Sequence, residues 1–411
     1  MLFRLNQLAH LGAVTLGLVS AHPLVQTNLR GFDVIPNHYI ITLKDDITTH
    51  SLQVHMDWVQ SLSGNDSPME GIRKQWNIGS WRAYSGSFDD ETLAQIRTHD
   101  AVEAIESSTL VRTMEEITEY NATWGLESIS HRDRAYDDND HDYVYDSSAG
   151  NGTYAYIIDT GVRTTHDEFE GRATKGADGI NEDIAGDLCG HGTHVAGTLA
   201  GKTYGVAKKA SIISVNVFGG YCHIGVPTEV ILAGYQWAVD NITATGREQV
   251  SVISMSLGGR ERSHAKNRAI KAAWQLGILT VVAAGNDGRD AAYYSPASVA
   301  EAVTVAAITY NDARAPFSNW GGSVDIFAPG VDIKSAGNSN DTATLIKSGT
   351  SMSTPHISGL VLYLKSLMPT LTDTPEATVN FLKALATKGV VENARRAPNL
   401  LGFNGHGVLK L

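Results

Sequence analysis

Short apolar runs alternate with longer amphipathic stretches along the chain beyond Trp124. The runs are apolar at nearly every position, which is typical of strands buried on both faces; they cover residues 154–158, 211–217, 250–255, 278–283 and 302–308. The stretches between and after them have helical spacing; they cover residues 193–200, 227–240, 263–276, 350–367 and 375–388. This alternation predicts an α/β fold with a mostly parallel sheet and helices on both faces.

The part of the chain before Trp124 has a different pattern, which predicts a small α+β module. Strand patterns occur there at residues 38–43 and 101–105. Helix patterns occur near residues 52–62 and 91–97. Residues 114–120 are polar and lack clear periodicity, so we expect a linker there that is open to processing. This places the predicted domain boundary between residues 117 and 118.

Composition and charge narrow the possible functions. The chain has 411 residues, of which 42% are hydrophobic, and this is enough for one large core and a smaller one. The formal net charge of −12 disfavours a nucleic-acid-binding surface. Residues 1–21 have the pattern of a secretory signal peptide, with a charge at Arg4, a short apolar region at residues 11–19 and small residues up to Ala21. No later run reaches the roughly 20 apolar residues of a membrane span, so we expect a soluble, secreted, extracellular protein.

The chain has two cysteines, Cys189 and Cys222. In an exported protein they can form one disulfide, worth ~3 kcal/mol through the entropy of the unfolded chain. We favour this bridge, and two buried free thiols are the alternative. Sequons for N-glycosylation are also compatible with export, although this triplet is frequent by chance; they occur at Asn65, Asn121, Asn151, Asn241 and Asn340.

Four side chains capable of chemistry fall where predicted strands end or helices begin, namely Asp159, His191, Asn286 and Ser351. Ligands bind outside the carboxyl ends of the strands in such sheets, so we expect these side chains to meet in one crevice. Each also has an ordinary structural explanation. Asp159 and Asn286 are common types of turn residue, and a serine that opens a helix is commonly an N-cap.

His191 and His194 are three residues apart on a predicted loop and helix, and such a pair can bind a metal ion. No glutamate or third ligand accompanies them at a familiar spacing. We therefore predict that neither histidine is a metal ligand.

Asp159, His191 and Ser351 together meet the chemical needs of acyl transfer. Serine is a weak nucleophile unless a base takes its proton, and the base needs an acidic partner that fixes its tautomer. A hydroxyl at a helix start also lies near unpaired N–H groups, which favour developing negative charge. The order Asp-His-Ser differs from that of the α/β-hydrolases, and Ser351 lacks the Gly-x-Ser-x-Gly motif, so an esterase of that type is disfavoured.

Five motifs around these residues resemble the subtilisin-like serine peptidases, and more closely their secreted fungal proteinase K-like branch. They are Ile157-Ile158-Asp159-Thr160-Gly161, Gly190-His191-Gly192-Thr193-His194, Ser256-Leu257-Gly258-Gly259, Ala283-Ala284-Gly285-Asn286 and Gly349-Thr350-Ser351-Met352. The similarity to the peptidase domain extends from about Trp124 to Leu401. The module before it resembles the propeptide of these enzymes, which assists folding and inhibits the enzyme until it is cleaved.

The resemblance implies a zymogen of a secreted serine endopeptidase with broad specificity and three segments. These are a signal peptide at residues 1–21, an inhibitory propeptide at residues 22–117 and a peptidase domain at residues 118–411. It further implies a triad of Asp159, His191 and Ser351, in which His191 is the base. A protein that kept the fold for binding without catalysis is the alternative.

The resemblance also assigns residues that would hold the substrate. The amide of Asn286 and the N–H of Ser351 would bind the oxyanion. The extended substrate would bind to five residues, namely Ser256, Leu257, Gly258, Gly259 and Gly285. The expected partners are polypeptide substrates and the protein's own propeptide, with no nucleic acid or membrane, and we expect a monomer.

Several positions depart from the pattern of these enzymes. Ser353 replaces the usual alanine, a change that should leave the triad intact. Cys189 lies two residues before His191, and some relatives have a disulfide near this position, which supports the bridge to Cys222. The segment at residues 219–225 replaces a Gly-Ser-Gly type segment beside the substrate, so the preference at extended subsites is open.

The resemblance implies no cofactor for catalysis and gives weak support for a structural calcium ion. Thr309 stands where this branch commonly has a calcium-associated aspartate. The acidic run at residues 137–142 lacks the glycine and distal glutamate of an EF-hand loop. We therefore interpret that run as a solvated loop.

Overall fold

The computed structural model of the chain describes residues 24–26, 34–62, 69, 71–109, 115–134, 141–178, 186–222, 224–260 and 262–409. The predicted signal peptide, the sequon at Asn65 and most of the acidic run at residues 137–142 lie outside the described residues. The described residues form two compact units, one that ends at residue 109 and one that begins at residue 115.

The first unit is an α+β module built on a five-stranded sheet. Its elements are β1 (Leu24–Gln26), β2 (Val34–Leu43), α1 (Thr49–Leu62), β3 (Gly71–Ile78), β4 (Trp81–Ser87), α2 (Asp90–Arg97) and β5 (Val102–Thr109). The strand order is β1-β5-β2-β4-β3, in which only β1 and β5 are parallel. Helix α2 begins at Asp90 because the Asp89 carboxylate accepts the N–H of Thr92 at 2.8 Å.

The apolar pattern located four of these elements but not the strands β1, β3 and β4. Most residues of β3 are exposed to solvent, so the strand lacks the buried alternating face that a sequence pattern can detect. The core of the unit lies between the sheet and its two helices and includes Ile41, Leu43, Val59, Ile96 and Ile105.

The second unit contains a nine-stranded sheet. Its strands are β8 (Tyr154–Asp159), β9 (Ala173–Asp178), β10 (Ser211–Asn216), β11 (Ser251–Met255), β12 (Leu279–Ala283), β13 (Val303–Ile308), β14 (Ile326–Pro329), β17 (Thr387–Lys388) and β18 (Leu400–Leu401). Their order is β17-β18-β14-β13-β12-β11-β8-β10-β9, and every pair except β17 with β18 is parallel. The five predicted strands are all present and nearly all of their residues are buried, as expected for a sheet covered on both faces.

Helices cover this sheet on both sides. They are α3 (Trp124–Ser130), α4 (His191–Ala200), α5 (Thr228–Ala244), α6 (His264–Gln275), α7 (Thr350–Leu367) and α8 (Pro375–Leu385). One apolar cluster joins the sheet to α4 and α7, and another joins it to α5 and α6. The predicted helix at residues 375–388 ends earlier than expected, because Thr387 and Lys388 form β17 instead.

Two short antiparallel ladders complete the second unit. They join β6 (Glu116–Glu119) to β7 (Tyr143–Asp146) and β15 (Ile333–Ala336) to β16 (Thr344–Lys347). Strand β6 lies inside the segment for which we expected a linker without regular structure. Within the described ranges, no helix combines the length and apolar character that crossing a membrane requires.

Candidate active site

Asp159 and His191 meet at the carboxyl edge of the large sheet. Asp159 is the last residue of β8 and is fully buried, and His191 is the first residue of α4. The Nδ1 atom of His191 lies 2.7 Å from Oδ1 of Asp159. A carboxylate can only accept in this contact, so Nδ1 carries the proton and the Nε2 atom is left free to accept another.

A second carboxylate, that of Asp187, shapes the loop that leads to His191. Its Oδ1 accepts the N–H groups of Cys189 and Gly190 and the hydroxyl of Thr160 at 2.8–2.9 Å. Its Oδ2 accepts the N–H and the hydroxyl of Thr193 at 2.8 and 2.7 Å. Sequence reasoning missed Asp187. Its signal was weak, namely an aspartate four residues before a helix start, where it can satisfy the free N–H groups of the first turn.

Ser351 lies in the first turn of α7, directly beside the segment that follows β11. Its hydroxyl donates to the carbonyl of Ser256 at 3.1 Å, and the hydroxyl of Ser256 donates to the carbonyl of Ser351 at 2.8 Å. This reciprocal pair fixes the start of α7 against Ser256. In this arrangement the hydroxyl of Ser351 points to Ser256 and not to His191.

The side chain of Asn286 is held by the residue before Ser351. Its Oδ1 accepts the N–H and the hydroxyl of Thr350 at 2.8 and 2.9 Å. Because the backbone N–H can only donate, this contact identifies the amide oxygen and leaves the two N–H donors of Nδ2 for another partner. The turn before Asn286 requires glycine, since Gly285 has φ +101° and a Cβ atom there would lie 2.4 Å from Nδ2 of Asn319.

One cleft is lined by all of the predicted site residues except Asp159. Its walls include the predicted oxyanion donor Asn286, together with His191 and Ser351. They also include the segment Ser256, Leu257, Gly258 and Gly259, and Gly285, which lies two residues beyond the end of β12. Asp159 lies beneath it as the buried partner of His191. Gly259 exchanges backbone hydrogen bonds with Ser295 at 2.9 and 3.2 Å, which holds this segment in an extended form.

A disulfide joins Cys189 to Cys222, with 5.4 Å between the Cα atoms, and both residues line the cleft. It connects the loop before His191 to the segment that follows β10. Three large apolar side chains are exposed near these cysteines in the sequence, namely Leu188, Tyr221 and Ile224.

Charged groups set the protonation of His191. Burial lowers the pKa of the imidazole, but the nearby Asp159 carboxylate, assisted by Asp187, raises this pKa by more. Lys347 acts in the opposite sense and lowers it. The net pKa of His191 therefore lies above its ordinary value of 6.5.

Comparisons with known proteins agree with this geometry. The profile of the subtilase family matches residues 150–407, and that of the peptidase inhibitor I9 family matches residues 38–114. The chain is 45% identical to "Alkaline protease 1" of Aspergillus flavus, over 96% of this chain and 97% of that protein. It is 49% identical to "Subtilisin-like proteinase Mp1" of Magnaporthiopsis poae, over 90% of this chain and 92% of that protein. The chain belongs to the subtilase family.

A solved structure of a cold-adapted subtilisin-like serine proteinase supports the same assignment. It is 40% identical, has a TM-score of 0.63 and covers 69% of this chain and 98% of its own. The predicted family and the predicted fold class are thus confirmed. The protein is a serine endopeptidase made as a zymogen with an I9-type inhibitory propeptide. None of these comparisons supports a non-catalytic binding protein, and subtilases need no cofactor for catalysis.

Ser353 and Thr309 differ in whether their hydroxyl groups have a partner; Ser353 is fully buried and Thr309 is partly buried. The hydroxyl of Ser353 has no hydrogen-bond partner within the described part of the chain. Thr309, in contrast, places its hydroxyl 3.2 Å from the carbonyl of Ala313, inside a turn that already bonds Thr309 N–H to the same oxygen. No group of three or more His, Cys, Asp or Glu side chains that could hold a metal ion occurs among the described residues.

The surroundings of His194 indicate a structural role for this residue in the subtilase. The side chain is fully buried, and its Nε2 donates to the carbonyl of Ile333 at 2.8 Å. Burial lowers the pKa of His194 to about 4, so the ring is neutral. His191 and His194 thus have separate partners and do not converge as a metal pair would.

Proposed function

We propose that Asp159, His191 and Ser351 form the catalytic triad of this endopeptidase. The observation that supports this most directly is the 2.7 Å contact between His191 and the buried Asp159 carboxylate in the cleft that contains Ser351. A turn of the Ser351 side chain away from Ser256 brings its hydroxyl to Nε2 of His191. His191 then takes the proton as Ser351 attacks the scissile carbonyl, and later gives it to the leaving amine.

The oxyanion that forms on the scissile carbonyl needs preorganised donors. We assign this role to Nδ2 of Asn286 and the N–H of Ser351, which lies in the first turn of α7 where helix N–H groups lack internal partners. The two contacts from Thr350 to Oδ1 of Asn286 support this role, because they orient the amide before substrate arrives. In a subtilisin, loss of one such asparagine costs about 10²–10³ in turnover.

The segment from Ser256 to Gly259, with Gly285 beside it, binds the acyl half of the substrate as an added strand. Main-chain hydrogen bonds supply affinity in this mode without reading side chains, which supports broad specificity. The disulfide between Cys189 and Cys222 forms part of the wall opposite this segment.

We further propose that the protein is secreted and acts as a monomer without nucleic-acid or membrane partners. Residues 1–21 serve as the signal peptide, the inhibitory propeptide extends from residue 22 to near residue 117, and the peptidase domain follows it to residue 411. The alkaline proteases among the relatives and the two matching family profiles support this organisation. The hydroxyl at Thr309 does not fit the carboxylate that a strong calcium site requires, so we derive no role for calcium.

The test of the triad is labelling of the processed protein with a fluorophosphonate probe, together with hydrolysis of casein. The wild type should react at Ser351 and degrade casein. A Ser351→Ala protein whose propeptide has been removed by another protease should do neither. Ser353→Ala is the matched control and should still be labelled. Labelling that persists in the Ser351→Ala protein, or its absence from the wild type, would sink the proposal.

A further inference from the structure

Among the described residues that line the cleft, one cation lacks a counterion. Apart from His191, the charged residues that line it are Arg260, Asp287 and Lys347. Arg260 and Asp287 form an ion pair with each other. The side chain of Lys347 takes part in no ion pair or hydrogen bond within the described part of the chain, and the residue is only partly exposed. The net charge of this group of three residues is therefore positive and resides on Lys347.

The strand ladder places Lys347 on the His191 side of Ser351. Lys347 is the last residue of β16 and pairs with Ile333 of β15. The carbonyl of Ile333 accepts the hydrogen bond from His194, which lies one turn beyond His191 on α4. The field of Lys347 reaches both rings, because it lowers the pKa of His191 and contributes to the low pKa of His194.

The opposite side of Ser351 is occupied by the segment from Ser256 to Gly259, which contacts Ser351 through two hydrogen bonds. In the proposed mechanism the acyl half of the substrate lies along that segment. The leaving amine must lie near His191, because Nε2 of His191 gives it a proton. The residue that follows the scissile bond is therefore the one that comes near Lys347.

We propose that Lys347 is a specificity-determining residue that favours substrates with an acidic side chain directly after the scissile bond. This inference rests on the triad roles proposed above. A partly exposed lysine and a substrate carboxylate form an ion pair of modest strength. Because the side chain of Lys347 has no partner within the described residues, the substrate does not have to break an existing ion pair first. The selection is a preference, so neutral substrates are cleaved as well.

The experiment uses internally quenched peptides that differ only in the residue after the scissile bond, which is Asp, Asn or Lys, with the cleaved bond verified by mass spectrometry. For the processed wild type, kcat/KM for the Asp peptide should exceed that for the isosteric Asn peptide by about two- to fivefold. In Lys347→Met the ratio of kcat/KM for the Asp peptide to that for the Asn peptide should fall to about one. In Lys347→Glu the Lys peptide should have a higher kcat/KM than the Asp peptide. In 0.5 M NaCl, which shortens the screening length to a few ångströms, the wild-type ratio should shrink.

The matched control is Lys334→Glu. Lys334 lies on β15 in the same ladder, opposite Ile346, and its ammonium group lies over the ring of Tyr204, away from the cleft. This variant changes the net charge of the protein by the same amount and should keep the wild-type ratio. Acidic residues also outnumber basic ones within residues 118–411, so the net charge of the processed protein would repel acidic peptides and cannot produce the expected preference.

Each outcome bears on the proposal separately from the triad. If the wild type cleaves the Asn peptide but shows no Asp preference, or if Lys347→Glu keeps it, the role of Lys347 is refuted while the peptidase function stands. A preference for acid only before the scissile bond also refutes it. If Ser351-dependent cleavage of every peptide is missing, the proposed triad itself fails.

Discussion

At the scale of single residues, His191 is controlled by two carboxylates and one ammonium group. Asp159 contacts the ring, Asp187 acts through its charge from the loop before α4, and Lys347 opposes both. The general base must be neutral, so activity is lost as the pH falls through the pKa of His191. Since this pKa is raised, the acidic limb of kcat/KM should have its midpoint above pH 6.5.

Removal of the negative charge of Asp187 should move the acidic limb of the kcat/KM profile to lower pH. In Asp187→Asn the pKa of His191 falls, and the midpoint of the acidic limb should therefore shift to lower pH, whatever happens to kcat. The measurement is kcat/KM against pH on a neutral peptide. Asp341→Asn, which changes a partly exposed carboxylate bonded to Arg163 and Thr165, is the control and should leave the midpoint in place. An unchanged or raised midpoint in Asp187→Asn would contradict this account.

Ser353 has a free-energy cost that an alanine at this position would avoid. A buried hydroxyl without a partner loses its hydrogen bonds to water and gains none in the protein. Ser353→Ala should therefore raise the free energy of unfolding by about 1 kcal/mol and leave peptidase activity unchanged. The measurement is urea unfolding of the processed enzyme after inactivation by the fluorophosphonate.

The control lies on the same helix. Ser358 is also fully buried, but its hydroxyl contacts that of Ser254 at 2.9 Å and the carbonyl of Thr354 at 3.0 Å. Ser358→Ala should destabilise the enzyme, because it leaves the hydroxyl of Ser254 without this contact. Equal effects of the two substitutions would show that the missing partner of Ser353 is not the cause.

The residues that the sequence could locate share one property. Asp159, His191, Asn286 and Ser351 lie at ends of strongly patterned elements, and the parallel sheet brings such ends together. The roles of Asp187 and Lys347 depend instead on how a loop and a hairpin fold back onto α4. Residue type and spacing give only a weak signal for Asp187 and none for Lys347, so neither role was found before the fold was known.

At the scale of elements, strand β6 is anchored firmly in the second unit. It pairs with β7 along its full length, and the N–H of Ser147 bonds to the carbonyl of Glu115 at 2.8 Å. The carboxylate of Glu119 contacts the largely buried ammonium of Lys208 at 2.6 Å, and that ammonium lies over the rings of Tyr143 and Tyr145. The pattern could not predict β6, because a four-residue strand with alternate residues exposed gives almost no apolar signal.

This anchoring sharpens the expected site of propeptide cleavage. A peptide bond inside a paired strand is protected, since the protease must bind its substrate as an extended segment. We therefore expect the processed protein to begin between residues 111 and 115, slightly before the boundary at residue 117, and to keep β6 intact. N-terminal sequencing measures this directly, and a processed chain that begins at Thr118 or later would contradict it. Ser351→Ala should stay unprocessed if the cleavage is autocatalytic.

At the scale of the whole molecule, the stability of the first unit should depend on pH through a buried histidine. The first unit buries His55, whose Nδ1 lies 3.2 Å from Nδ1 of His99 and whose Nε2 lies 3.1 Å from the hydroxyl of Tyr84. His99 Nδ1 also accepts the N–H of Ala101 at 3.1 Å, so this atom carries no proton. His55 Nδ1–H then donates to His99, and His55 Nε2 accepts from Tyr84. The network is satisfied with both rings neutral.

Acid should therefore weaken the first unit through His55. Burial, and then the charge of His99, lower the pKa of His55 to about 4, against 6.5 for an exposed histidine. A lowered pKa in the folded state contributes stability that is complete above pH 6.5 and is lost as the pH falls toward 4, by about 2–3 kcal/mol.

Hydrogen exchange in β3, β4 and β5 of the full-length Ser351→Ala zymogen measures this loss of stability, and protection there should fall between pH 6.5 and pH 4. In His55→Gln the protection should depend less on pH over that range, whereas His50→Gln, at an exposed position of the same helix, should behave as the parent. An equally steep loss in His55→Gln would assign the acid sensitivity of the propeptide to other groups.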